Sequence, residues 1–338
     1  MSPRFFGVLS IIAIFLIIIS GITSSISSRW IKDDVSGALY FTNLSQKLDD
    51  ISEIKIQQSG KSTILKKEDD SWLLTENNNF EANLKKVKAN LTAISNMTKV
   101  EAKTRRPDLF DRLRLEDPSL PESKSYLLEL LDSNNNSVVS VVIGKTRPNV
   151  LAKGRNGVYI RDVDSNQTWL VHSDLKISDG LSDWIDTRLI DVQAEDLVNM
   201  QVKRGQRTPL IFGRSVSNNN IIELQDFELK ADTRTPIGLK SVVTRSLWVE
   251  FDDIRKEKSI DRSLVDTSVE ILTSDNDTIL LSLYNDIDDG DGAWVTFENK
   301  TTKESLLGRV GFQFHLNKLN KEEFIITLNE VLKIEKEN

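Results

Sequence analysis

Apolar and polar positions alternate along much of this chain, in short blocks separated by turn residues. Ile54-Lys55-Ile56 alternates as a strand does, Ser59-Gly60-Lys61 interrupts it, and Thr63-Ile64-Leu65 resumes. Asp69-Asp70 marks a second turn before Ser71-Trp72-Leu73-Leu74. The period then changes: Phe80, Leu84, Val87, Leu91 and Ile94 recur at helical spacing and predict an amphipathic helix. Arg106-Pro107 ends that pattern, and 109–115 reads as a short helix stopped near Pro118. Strands return at 126–131 and 138–143, joined across Ser133-Asn134-Asn135-Asn136. Residues 150–153 and 158–161 predict a hairpin with Asn156-Gly157 at its tip. A strand at 168–171, a short helix at 181–190 bearing Trp184, and a closing amphipathic helix at 319–332 complete the pattern.

The pattern also repeats. The stretch 48–56, with its acidic lead Asp49-Asp50 and apolar Ile51, Ile54 and Ile56, matches 194–202, with Glu195-Asp196, Leu197, Met200 and Val202. Farther on, 128–142 matches 269–283, so that the turn 133–137 corresponds to 274–278. The two offsets differ slightly, as they would if a duplicated unit had lost a few residues. Strand-turn-strand segments resemble one another in any case, which is the competing reading.

One stretch follows neither period. Residues 5–22, FFGVLSIIAIFLIIISGI, are apolar without a charge. Eighteen residues at helical rise span about 27 Å, close to a bilayer's hydrocarbon thickness. The run is longer than a signal-peptide core, which favours an uncleaved anchor, although the serines at 24, 25, 27 and 28 would permit cleavage. A buried core helix is a third reading. Arg4 before the span and Arg29 and Lys32 after it nearly balance. A short basic start before such a run resembles an export signal, so the expectation is a bacterial inner-membrane, single-pass protein with its soluble domain in the periplasm.

Composition narrows the chemistry. With 338 residues the chain has length for one long domain or two ordinary ones. A formal net charge of -7 speaks against nucleic-acid binding. The one noticeable basic patch is Lys99, Lys103, Arg105 and Arg106, whose plainest reading is a solvated face. The absence of cysteine excludes disulfides, thiolate metal sites and thiol nucleophiles. Two histidines, His172 and His315, are too few for a histidine-rich metal centre.

Each chemical candidate has a plainer structural explanation. Gly144-Lys145-Thr146 looks like the end of a phosphate loop, but Val139 stands where the motif needs its first glycine, so a strand end is expected. Asp286, Asp288, Asp289 and Asp291 crowd a glycine-containing loop without the order of a calcium-binding loop, so a solvated hairpin tip is expected, with a weak cation site as the alternative. The metal question therefore stays open. His172 has Asp174 nearby as a general-base pair, and His315 sits between Phe314 and Leu316 in an alternating strand. Neither accompanies a serine in a nucleophile elbow. Trp72, Trp169, Trp184, Trp248 and Trp294 lie in apolar segments and are expected in the core. No catalytic or cofactor-binding residue is expected, and no cofactor.

These features together resemble a known family. The lead-in 50–56, the strand centred on Trp72, a helix beginning at Asn79, the Gly144 strand end, Val158-Tyr159-Ile160 and Trp184-Ile185-Asp186-Thr187-Arg188 resemble the bacterial domain of unknown function 4340 over roughly 45–330. The resemblance implies an envelope protein associated with ABC transporters of the gliding-motility type, and it supplies no site residue. The expected fold is α+β: a transmembrane helix within 1–22, a stalk at 23–44, and two related, mostly antiparallel sheet-plus-helix units at 45–190 and 191–335. The expected role is a non-catalytic accessory or interaction protein whose partners are multi-span ABC transporter subunits or other envelope proteins. The alternative is a periplasmic enzyme or small-ligand-binding protein acting on envelope material.

Overall fold

Alternate apolar positions become buried faces in this molecule: Ile51, Ile54 and Ile56 are all buried on the first strand. A computed structural model describes residues 37–152, 155–177, 180–214, 222–225, 239–256, 265–285 and 291–326. They form an α+β structure with two antiparallel sheets. Residues 5–22, and most of 23–44, lie outside the described residues, and among those described no helix is long and apolar enough to cross a membrane.

The first sheet contains β1 (Ile51–Gln58), β2 (Lys61–Glu68), β3 (Ser71–Leu74), β4 (Phe80–Glu81), β5 (Thr98–Ala102), β6 (Tyr126–Asp132), β7 (Ser137–Ala152), β8 (Arg155–Asp162) and β9 (Thr168–His172). Its order is β4-β3-β2-β1-β6-β7-β8-β9-β5. Helix α1 (Leu84–Ser95) precedes the edge strand β5, and the short α2 (Phe110–Leu113) lies between β5 and β6. The second sheet contains β10 (Leu197–Arg204), β11 (Leu210–Arg214), β12 (Ile222–Gln225), β13 (Asp253–Lys256), β14 (Val265–Thr273), β15 (Thr278–Asn285), β16 (Ala293–Phe297) and β17 (Phe312–Leu316). Its order is β12-β11-β10-β14-β15-β16-β17-β13. Helix α3 (Leu239–Leu247) precedes the edge strand β13, α4 (Glu304–Leu307) lies between β16 and β17, and α5 (Lys318–Ile325) follows β17.

Apart from β4, the two strand orders are the same, and so is the register. Ile54 stands opposite Leu65 and Leu130, as Met200 stands opposite Phe212 and Ile271. A bulge between Ile51 and Glu53 has its counterpart between Leu197 and Asn199. The turns after β6 and β14 agree as well. Asn135 and Asn276 both take positive φ, at 60° and 66°, a conformation that asparagine tolerates. Asp132 N–H donates to the Asn136 carbonyl in one turn, and Thr273 N–H donates to the Asp277 carbonyl in the other.

The chain divides into two compact units, Met1–Trp72 with Leu84–Ile177, and Leu73–Asn83 with Ser178–Asn338. In the first, Ile54, Leu65, Leu128, Leu130, Val141 and Ile160 are buried on the sheet, and α1 buries Val87, Leu91 and Ile94. The strands also bury residues of the opposite parity. Val142, Tyr159 and Leu170 form a second cluster with Phe110 and Leu115 from the α2 segment. Gly144 lies under that segment. A Cβ there would fall within 2.6 Å of the Arg114 carbonyl oxygen, with the Leu113 carbonyl closer still. In the second unit the core is richer in aromatic rings. Phe80 packs edge-on against Phe312 and Phe314 with centroids 5.1 and 5.8 Å apart, and Phe251 lies 4.8 Å from Phe314.

Several local expectations are corrected. Asn156 and Gly157 lie inside β8, because Ala152 pairs with Arg155 and sets the tip earlier. The helix after Trp72 begins at Leu84, since Asn78 and Asn79 take positive φ and Phe80 pairs with Leu74. Residues 181–190 contain a single 3-10 turn, Leu181–Asp183, rather than a helix. Helix α5 is described only to Ile325, and the remainder of the expected closing helix from 327 lies outside the described residues.

Candidate functional site

His172 ends β9 at the rim of a groove in the first unit. Its Nδ1 lies 2.9 Å from the Asn156 carbonyl oxygen. A carbonyl can only accept, so Nδ1 is the donor in this contact. The chain beyond is laced to α1. The Ser173 hydroxyl donates to the Ala93 carbonyl at 3.2 Å, and Lys176 N–H donates to the buried Asn90 Oδ1 at 3.2 Å. Between this segment and the helix lies a groove of about 600 Å³, with Lys85, Lys88, Thr92 and Asn96 on one side and His172 and Asp174 on the other. The predicted pair His172 and Asp174 thus shares one groove, while the imidazole Nδ1 is held by Asn156.

His315 occupies a different setting on β17 in the second unit. Its Nδ1 donates to Asp252 Oδ1 at 2.6 Å, and Asn317 Nδ2 donates to the other carboxylate oxygen at 3.2 Å. The Trp294 ring packs on the imidazole with centroids 5.0 Å apart. The Arg255 guanidinium lies 3.6 Å from the centre of the same indole and donates to Gln313 Oε1 at 2.7 Å. A carboxylate behind Nδ1 fixes tautomer and ring orientation, as in hydrolytic sites. The hydroxyls of neighbouring strands are committed elsewhere: Ser282 donates to Glu298 at 2.8 Å, and Thr296 reaches the Ser282 carbonyl at 3.5 Å. The arrangement orients a base and pairs it with no nucleophile among these contacts.

Arg309 was not legible as a key residue. It is half-buried and donates to the carbonyls of Arg188 and Leu189, the latter at 2.8 Å. Its guanidinium packs on Phe251 and Phe314. Burial pushes its pKa down to about 10, against the attraction of Asp186 and Asp191, so it stays charged at neutral pH. Burial opposes ionisation of Asp186 too, but hydrogen bonds from Arg188 outweigh it and hold the carboxyl below the usual range. Arg309 therefore staples the segment 186–189 that sequence pattern assigns to a helix.

The remaining candidates take structural places. In the basic patch, Lys99 lies over the Tyr40 and Trp169 rings, Lys103 pairs with Glu101, Arg105 donates to Gln167, and Arg106 pairs with Asp108. Gly144, Lys145 and Thr146 lie within β7, not at a strand end. Asp286, Asp288 and Asp289 fall outside the described residues, whereas Asp291 pairs with Lys318 at 3.0 Å. Among the described residues no group of three or more histidine or carboxylate side chains is placed to hold a metal ion. Trp72, Trp184 and Trp294 are buried, but Trp248 is 52% exposed and its ring lies beside Arg188 rather than in the core.

No curated protein and no solved structure matches the chain. A family model described as domain of unknown function (DUF4340) matches residues 72–259. That segment runs from the Trp72 strand, through α1, the His172 groove and the Trp184–Arg188 segment, to the edge strand carrying Arg255, and since it is more than half of the sequence, the chain belongs to the DUF4340 family.

Proposed function

We propose that this protein is a membrane-anchored periplasmic accessory subunit of an ABC-type transport complex, acting by protein contact rather than by catalysis. The anchored reading is supported by the way residues 37–40 meet the first sheet. Gly37 N–H donates to the Lys99 carbonyl at 2.7 Å, Lys99 N–H to Ala38 at 2.8 Å, and Tyr40 N–H to Met97 at 2.7 Å. Residues 37–40, inside the expected stalk 23–44, thus pair beside β5, so a helix at 5–22 would lead its tether to a sheet edge. One span is too little for a transport pathway, so a transport role requires a partner with more spans. A periplasmic alkaline-phosphatase fusion at the C-terminus tests orientation: activity is expected, and activity only of a cytoplasmic reporter overturns it. Carbonate washing should leave the protein in membranes. Affinity purification from detergent-solubilised membranes should recover transporter ATPase and permease subunits, and their absence overturns the transport association.

We further propose that the two units descend from one duplicated unit, a reading supported by the matched registers of Ile54 and Met200. A second functional reading, an enzyme acting on envelope material, is favoured by one observation, the His315–Asp252 hydrogen bond at 2.6 Å. Loss of activity in a folded His315→Ala variant that still binds its partners would put this reading first.

A further inference from the structure

In each unit a segment that precedes the first strand is laid beside an edge of the sheet. In the first unit Tyr40 N–H donates to the Met97 carbonyl and Lys99 N–H to the Ala38 carbonyl, with Leu39 paired to Thr98. In the second, Leu189 N–H donates to the Val249 carbonyl and Phe251 N–H to the Thr187 carbonyl, with Arg188 paired to Glu250. The backbone ladder is the same, but what fastens it differs. Around 187–189, Trp184, Ile185, Leu189 and Ile190 are all buried, and Arg309 donates to the carbonyls of Asp186, Arg188 and Leu189. Across 37–43 only Tyr40 is buried, with the Lys99 ammonium 5.3 Å from its ring centre and Asp162 beside its phenol, while Gly37, Ala38, Leu39, Thr42 and Asn43 are exposed. Arg309 stands in the connection between β16 and β17, which runs from 298 to 311. The matching connection between β8 and β9 is only 163–167, and no lysine or arginine is in it.

We propose that residues 37–43 are a releasable strap, docked along β5 and peeling away as a unit while the rest of the first sheet stays folded. Segments with few buried apolar contacts open locally at a lower free energy than the core does, and the strap has one buried side chain where its counterpart has several and a cationic rivet. The pivot is Asn43, whose φ of 67° turns the chain into the 3-10 turn Leu44–Gln46, and there Leu44 is buried again. Peeling frees the N–H and C=O of Lys99 and the C=O of Met97, so β5 becomes an open edge of the kind on which extended segments pair. It also passes residues 37–43 to the tether, about 25 Å of chain at full extension. The segment 187–189 carries the same ladder and stays closed, because its side chains and Arg309 hold it. The opening is a property of the sheet alone, whereas the longer tether rests on the anchored reading.

The test uses the full chain in detergent micelles and hydrogen exchange resolved to single amides. The amides of Tyr40 and Lys99 report the strap, and those of Leu189 and Phe251 report its riveted counterpart. Tyr40 and Lys99 should exchange about 100-fold faster than Leu189 and Phe251. The chain has no cysteine, so Leu39→Cys with Thr98→Cys introduces a single disulfide. The bonds on either side make these two a non-hydrogen-bonded pair, with Cα atoms about 4.5 Å apart and within disulfide range. Oxidation should slow Tyr40 and Lys99 about 30-fold, and reduction should restore their fast exchange. Two further variants keep the test independent of that disulfide. Tyr40→Ala should quicken Lys99 about ten-fold and leave Leu189 unchanged, whereas Arg309→Ala should quicken Leu189 and leave Lys99 unchanged. Equal exchange in the two ladders, exchange that oxidation leaves unmoved, or a Lys99 amide indifferent to Tyr40→Ala overturns the proposal. If the strap exchanges fast and carbonate washing releases the chain from membranes, the strap stands and the anchored reading falls. If the chain stays in membranes and the strap exchanges as slowly as its counterpart, the strap falls alone.

Discussion

Val142, Tyr159 and Leu170 in the first unit correspond by register to Ser282, Trp294 and His315 in the second. The first three form an apolar cluster that Phe110 and Leu115 complete from the connection between β5 and β6. That connection runs from 103 to 125, whereas the one between β13 and β14 runs only from 257 to 264. Strand order fixes which residues face outward, but the connection decides whether an outward face becomes core. Where a long connection supplies aromatic and aliphatic cover, the face is apolar; where the connection is short, the same positions carry a hydroxyl, an indole and an imidazole. A shared fold thus leaves two faces free to diverge, this one and the helix side where α5 has no counterpart among the described residues of the first unit.

Substitutions that touch one unit's device and not the other's can break this comparison. Phe324→Ala should have the largest effect, about 4 kcal/mol, because it empties the contact between α5 and α3. Urea unfolding followed by tryptophan fluorescence would measure it, and a loss below about 1 kcal/mol would mean that α5 contributes little to the second unit. Arg309→Ala should cost about 3 kcal/mol by leaving the carbonyls of Arg188 and Leu189 without their charged donor. Hydrogen exchange should localise that damage to 186–190. Gly144→Ala should cost about 2 kcal/mol through collision with the α2 segment, while Tyr284, at the corresponding register, already carries a ring. Wild-type stability of the Gly144→Ala chain would contradict the close approach.

Smaller effects sharpen the contrast. The Asn136 side chain and backbone hold the Asp132 carboxyl below the usual carboxylate range. Its folded pKa is depressed, so its contribution is present above about pH 4 and is lost as pH falls through the folded value. The corresponding turn uses Thr273, which does not titrate in this range. Amide exchange should therefore quicken at Asn134 and Asn136 in acid but not at Asp277, and Asp132→Thr should remove the difference. On the proposed function, His172→Ala and His315→Ala should change transport-linked activity least of all, provided the variants fold.

Much of the strand pattern was legible because it is local. Ile54 and Ile56 alternate, Ser59-Gly60 turns, and the asparagine tract after Asp132 reverses the chain, each for reasons contained in a few adjacent residues. The repeat was legible for the same reason, since Ile54 and Met200 keep equivalent neighbours. What escaped depends on distant partners. Residues 181–190 have the apolar spacing of a helix, but Asp186, Arg188 and Leu189 give their carbonyls to Arg309, more than a hundred positions away. The Asn156-Gly157 pair looked like a hairpin tip, yet the pairing of Ala152 with Arg155 set the turn. For the candidate groove, Lys85 and Lys88 were readable as the polar side of an amphipathic helix. That residues 173–177 form no helix over this side was not readable.

The pairing of residues 37–40 with β5 sets the length of a leash. On the proposed reading, residues 23–36 lie between the end of the membrane run and the first hydrogen bond to the sheet among the described residues. Fourteen residues reach at most about 50 Å when fully drawn out. The domain would sweep a shallow cap above the bilayer and hold the β5 corner toward it. A partner surface on a tall periplasmic projection would lie beyond reach, whereas one on the short loops of a permease would be met continually. Lengthening the leash by inserting a flexible segment at position 30 would widen that cap and thin out the encounters within it.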